Sequence, residues 1–205
     1  MALKKILDSN PKLYNALKKK GEEKKYNHGD LIILNGSVKD KTAFIFKGLF
    51  KVTLKGKKPL LLYHIDSQNQ CIISLMNFYT SSVKTSITSL EKSSLLWVSN
   101  ADILELANSF PLLKIEMLSS YHYNNQQLLL TMDTIMRKSI EDRFIDYLLT
   151  KSSIYKTNKL CISWNEIASD LQISKTTVFK IIKTLKTKKQ ITLSEEQIII
   201  NKFSL

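Results

Sequence analysis

Arginine is almost missing from a strongly basic chain. Only Arg137 and Arg143 stand among 31 basic residues, which face 18 acidic ones and give 205 residues a formal net charge of +13. The excess is larger than solubility requires and points to a polyanionic partner, nucleic acid first and an anionic membrane second. Lysine meets phosphate as a point charge but lacks the planar fork that grips guanine at two points. A lysine-heavy composition can also be a genome-wide bias, so the position of the lysines has to decide.

Cysteine and histidine are equally sparse. Cys71 and Cys161 lie far apart, with no CxxC and no Cys/His cluster, and His28, His64 and His122 are scattered. This excludes the ligand spacings of zinc and iron–sulfur sites. A β-roll enzyme of the cupin kind would need closely spaced His and Glu ligands, and neither a Ser/His/Asp arrangement nor a glycine-rich phosphate loop is visible. The chain is expected not to be an enzyme and to hold no metal or cofactor. No run approaches the roughly 20 apolar residues of a membrane helix. The basic start, MALKKILDSNPKLYNALKKK, is broken by charges where a signal peptide would be continuously apolar. The expectation is a soluble, cytoplasmic protein with no membrane partner.

Three prolines and five glycines are few for this length, and 43% hydrophobic residues suit a packed fold. All five glycines fall at or before Gly56, where short β-rich runs begin. Leu31–Leu34, Ala43–Phe46, Leu49–Leu54, Leu60–Ile65 and Leu95–Val98 are separated by Gly29-Asp30, Asn35-Gly36, Lys47-Gly48 and Asp66-Ser67, the residues of turns. Their spacing predicts an all-β barrel or sandwich over about residues 25–100.

From Ala101 the pattern becomes helical. A short helix to Phe110, stopped by Pro111, precedes a long one in which Leu118, Tyr121, Asn125, Leu128, Met132 and Ile135 are spaced 3, 4, 3, 4 and 3 apart. That is a heptad seam with Leu118, Asn125 and Met132 at its a positions. Asn125 would be costly buried alone, but at an a position it can pair with its symmetry mate, so the seam predicts a homodimer. Lys138 to Thr150 again has helical spacing, and Lys151 to Lys159 is polar enough to be expected as a loop.

Ser163-Trp164-Asn165-Glu166 has the S-x-x-E form of a capping box, so a helix should start after Ser163. Gln172-Ile173 breaks it. Ser174 is a second N-cap, followed by Val178, Ile181, Ile182 and Leu185 at i, i+3, i+4 and i+7. Two short helices joined by so tight a turn form a helix-turn-helix. At about 100° per residue, the face opposite the apolar stripe of the second helix carries Thr176, Lys180, Lys183 and Thr187. No acidic residue occurs from Leu171 to Leu193, so these lysines coincide with the element that would face a duplex.

The run ISWNEIASDLQISKTTVFKIIKTL resembles, without a gap, the winged helix-turn-helix of the Crp/Fnr family of bacterial transcription regulators. Ile191-Thr192-Leu193 and Ile198-Ile199-Ile200 fit its wing, although the wing tip, Ser194-Glu195-Glu196, carries acids that should not approach phosphate. Upstream, YNHGDLIILNGSVKDKTAFIFKGLFKV is similar to the opening of a cyclic-nucleotide-binding β-roll, with Gly29, Gly36 and Gly48 on its turns. The resemblance covers nearly the whole chain. It implies an α+β fold: an N-terminal double-stranded β-roll of jelly-roll type over residues 1–110, a coiled-coil dimerisation helix over 111–137, and a winged helix-turn-helix over 138–205.

Carried over by position, the resemblance implies that Lys175, Thr176, Phe179 and Lys180 read bases. Ser163, Ser174, Thr177, Lys183, Lys186, Lys188 and Lys189 would then meet phosphate. Family members often have Arg, Glu and Arg where this chain has Lys175, Thr176 and Lys180, which weakens two-point recognition of guanine. Phe179 replaces a small residue and could pack on a thymine methyl, so an A/T-richer site is expected. Gln172 stands where the turn is often glycine.

In the sensor, the family's cyclic AMP binders use a Gly-Glu pair and, about ten residues on, an Arg-Ser or Arg-Thr pair. The matching stretch, CIISLMNFYTSSVKTSITSLEKS, has no glycine, no arginine and no glutamate before Glu91. Ser82, Lys84 and Thr85 are the only candidate effector-pocket residues, control by cyclic AMP is not expected, and the effector stays unidentified. The expected partners are double-stranded DNA, a second copy of the chain and RNA polymerase. A rival reading stays open, in which the chain is a ligand-binding or protein-interaction module whose winged helix docks a protein.

Overall fold

The computed structural model describes residues 10–34, 40–54, 56, 59–67, 72–73, 85–194 and 197–201. They form two compact units. One contains the chain to Lys55 and Leu62–Leu129, and the other Gly56–Leu61 and Leu130–Leu205. The division falls inside a long helix.

The first unit opens with α1, Pro11–Lys20. Asn10 caps it by accepting from the Leu13 amide at 3.2 Å, Pro11 is tolerated at the first turn, and Leu13 and Leu17 turn the same face into the core. Eight strands follow: β1 (Glu22–Tyr26), β2 (Leu31–Leu34), β3 (Lys41–Lys47), β4 (Leu49–Leu54), β5 (Leu60–Asp66), β6 (Ile72–Ile73), β7 (Thr85–Ser89) and β8 (Ser93–Ser99). They make two four-stranded sheets, ordered β1-β8-β3-β6 and β2-β7-β4-β5.

Successive side chains of a strand point to opposite faces, and β3 and β8 are buried on both. Ala43, Ile45, Leu95 and Trp97 join Phe50, Val52, Tyr63, Ile65 and Ile87 in a core shared by the sheets. Phe44, Leu96 and Val98 turn the other way, onto Leu13 and Leu17 of α1 and onto Ile103, Leu106 and Ala107. The last three belong to α2, Asn100–Ser109, which Ser99 caps by accepting from the Asp102 amide at 3.0 Å. Lys20 clips α1 to α2 through Asp102 and Glu105, both at 2.7 Å.

Two of the turn glycines are explained by geometry. Gly29 (φ 88°) and Gly48 (φ 117°) lie in the left-handed region, and a Cβ on Gly48 would fall 2.1 Å from Ser93 Oγ. Gly36 lies outside the described residues, as does Cys71.

Helix α3, Pro111–Arg137, begins at the proline that ends α2, since proline suits a first helical turn. Its inward face is largely polar: Leu113 is buried together with Glu116, Ser120 and Asn124.

The second unit continues with α4 (Ile140–Tyr155), β9 (Lys159–Leu160), α5 (Trp164–Asp170), α6 (Lys175–Thr187), β10 (Ile191–Ser194) and β11 (Gln197–Ile200). The expected loop at Lys151–Lys159 is therefore a correction: α4 runs on to Tyr155, and Lys156 (φ 51°) terminates it in the left-handed conformation. The strands form one antiparallel sheet, β10-β11-β9. Its core joins Phe144, Tyr147 and Leu148 of α4 to Ile167 and Ala168 of α5, Val178, Ile181, Ile182 and Leu185 of α6, and Ile191, Ile198 and Ile200 of the hairpin. The tip residues Glu195 and Glu196 lie outside the described residues.

Candidate nucleic-acid interface

Two serines start the helices of the turn unit. Ser163 Oγ accepts from the Glu166 amide at 3.1 Å, and Ser174 Oγ accepts from the Thr177 amide at 3.0 Å. Each satisfies an amide that a helix N-terminus leaves without an intrahelical acceptor. The Glu166 carboxylate accepts from Lys151 Nζ at 3.0 Å. Between the helices Gln172 takes φ 58°, a left-handed conformation in which glycine has no steric cost. Its side-chain amide donates to the Ser169 carbonyl at 3.0 Å, which closes the turn.

This frame puts Val178, Ile181, Ile182 and Leu185 into the core and leaves Lys175, Thr176, Phe179, Lys180, Lys183, Lys186 and Thr187 exposed. All the expected base-reading residues thus lie on the outer surface of α6. Thr177 is half-buried, its hydroxyl 2.8 Å from that of Ser174. Lys188 is exposed but its ammonium meets Glu141 at 2.6 Å, so part of its charge is already compensated within the unit. Lys189 is exposed at φ 57°, just beyond the end of α6.

Sequence reasoning missed two features of this unit. Trp164, the first residue of α5, packs against the core, and its ring centroid lies 5.8 Å from that of Phe179 with the planes inclined at 53°. With Cys161, Ile162, Ser163, Asn165 and Lys175 the two rings line an open concavity of about 650 Å³. The second is Lys151, whose side chain is wholly buried. Besides Glu166, its ammonium lies 3.9 Å from the Asp170 carboxylate and 5.3 Å from the centre of the Tyr147 ring. The Tyr147 hydroxyl donates to Asp170 at 3.1 Å. Burial, reinforced by the charges of Asp170 and Glu166, holds that phenol well above its ordinary pKa, so it remains a donor. In the sequence Lys151 opens the polar run expected as a loop, which hid it.

On α3, Leu118, Tyr121, Asn125, Met132 and Ile135 are exposed, while Leu128 is half-buried against the sheet core. Ile115, Leu129 and Met136 are also exposed, at 58%, 59% and 80%. In the β-roll, Thr85 is half-buried at the start of β7, and Ser82 and Lys84 lie outside the described residues. Among the described residues no His/Cys/Asp/Glu group could hold a metal ion, and no helix is long and apolar enough to cross a membrane.

No protein-family profile and no curated sequence matches the chain. Solved structures do. A Crp/Fnr-family transcriptional regulator from Eubacterium rectale superposes with a TM-score of 0.81 at 16% identity, covering 94% of this chain and 91% of its own. The c-di-GMP-responsive global regulator CLP of Xanthomonas campestris gives 0.81 at 11% identity, covering 95% and 100%. A Crp/Fnr-family regulator from Thermus thermophilus gives 0.72 at 14%, covering 88% and 94%. Over nearly its whole length this chain has the fold of the Crp/Fnr transcription regulators.

Proposed function

We infer that the chain is a sequence-specific DNA-binding regulator that works as a homodimer and is not controlled by cyclic AMP. One observation carries the reading: the exposed face of α6, the second helix of the turn unit, holds Lys175, Thr176, Lys180 and Lys183, with no acid from Leu171 to Leu193. In a helix-turn-helix this helix is the one that enters the major groove. Lys175, Thr176, Phe179 and Lys180 contact bases. Ser163, Ser174, Thr177, Lys183, Lys186, Lys188 and Lys189 fix the register on phosphates. RNA polymerase is a further partner of this reading.

The exposures on α3 favour a dimer seam of Ile115, Leu118, His122, Asn125, Leu129, Met132 and Met136, all exposed and spaced alternately 3 and 4 apart. Relative to the register expected from the sequence, His122, Leu129 and Met136 take the places of Tyr121, Leu128 and Ile135, and Asn125 moves from an a to a d position. Apolar side chains in such a row are left in water unless a second helix covers them.

Sedimentation and duplex titration test both halves. The wild-type chain is expected to be a dimer, and Leu129→Lys a folded monomer that binds duplex far more weakly. Dimer affinity for duplex should fall roughly a thousandfold between about 50 and 200 mM salt if six or more phosphates are neutralised. A protein-docking module would show little duplex binding at any salt, which would overturn the assignment.

A further inference from the structure

Phe179 is 53% exposed on a face otherwise made of lysines and threonines, while the apolar needs of α6 are met by its four buried residues. Folding does not require an aromatic ring there. Trp164 holds that ring, since their tilted packing restricts the rotamers open to Phe179 and Trp164 is itself anchored on the core. The pair and Ile162 give the concavity apolar surface, and Lys175, Asn165 and Ser163 line it with polar groups. Lys180, next to Phe179 in the chain, is exposed as well, so what meets this ring meets positive charge beside it.

We propose that the Trp164–Phe179 corner reads the 5-methyl group of thymine, with Phe179 as the contacting residue and Trp164 as the residue that positions it. Thymine is the one base of ordinary DNA that displays a methyl group in the major groove. Guanine, whose paired acceptors suit an arginine fork, has no such partner on α6, which contains no arginine. Lys175 and Lys180 can donate to guanine but without a planar fork to fix the geometry, so apolar contact at Phe179 adds discrimination that they lack. The inference depends on DNA binding through α6, and it adds to that reading a chemical group and a second residue.

The test uses a duplex enriched by the full-length protein from a random pool, synthesised once with thymine and once with deoxyuridine, which removes only the methyl groups. Burying one methyl is worth about fourfold in affinity, and two half-sites about fifteenfold. Wild-type protein should prefer the thymine duplex by that factor. Phe179→Ala should bind both equally. Trp164→Leu should keep Phe179 but lose much of the preference, with circular dichroism confirming the fold of both variants. Equal wild-type affinity for the two duplexes, or a preference that survives Phe179→Ala, would overturn the methyl contact and leave DNA binding standing. Failure to bind either duplex would remove both.

Discussion

Lys180→Glu is expected to reduce affinity for the operator by roughly a hundredfold or more, down to the level of unrelated duplex. Lys180 is exposed in the middle of α6, away from the buried stripe, and its ammonium has no ion-pair partner among the described residues. The substitution therefore costs the fold little. At the duplex it removes a base-edge donor and adds a like-charge repulsion beside phosphate. A specific base contact is worth about 1–3 kcal/mol, and a two-fold dimer loses it twice. Lys180→Gln, which removes the charge without reversing it, should fall between wild type and Lys180→Glu. Sedimentation should find the dimer intact in both. Operator affinity retained by Lys180→Glu would show that another surface meets the DNA.

A second large effect is expected from Lys151, on stability. Its side chain is fully buried between α4 and α5, where it meets Glu166 and approaches Asp170, itself 4% exposed. Lys151→Ala removes the buried cation that Glu166 and Asp170 meet inside the unit. Removing one partner of a buried charge pair costs about 3–5 kcal/mol. The unfolding transition of the C-terminal unit should shift by that amount in denaturant, with the β-roll transition little changed, since the chain divides into two compact units. Replacing Lys151 by Met together with Asp170→Asn should recover much of the loss, because a neutral, well-packed group avoids the stranded charge. An unfolding midpoint unchanged in Lys151→Ala would contradict the ion-pair account.

Helix α6 was legible because everything that defines it is local: Ser174 at its start, an apolar residue at each inward position and no acids on its outer face. Strands β2, β3, β4, β5 and β8 were legible for a similar reason, since each carries a short apolar run of its own. Strand β1 was not. Its sequence EEKKY is mostly exposed, and it is a strand because of its pairing with β8, which sets Glu22 opposite Trp97. Strand β7, TSITS, is held between β2 and β4 with only Ile87 as a large apolar residue.

Long-range partners hid the rest. Lys151 reads as a polar break until it is known that Glu166 and Asp170 lie opposite. On α3, Leu128 and Leu129 fit equally well into a stripe of alternating 3 and 4 spacing. Only the packing of Leu128 on the sheet core identifies the outward one. Trp164 looked like the filler of a capping box, and its contact with Phe179 crosses from one helix of the turn unit to the other.

The central claim is that two copies of α6 read DNA, and selection from a pool of random duplexes by the full-length dimer tests it most directly. The account predicts enrichment of an A/T-rich site with two-fold-related half-sites whose centres are about one helical turn, roughly 34 Å, apart. A pool that emerges with no enriched sequence, or with G/C-anchored half-sites, would contradict it.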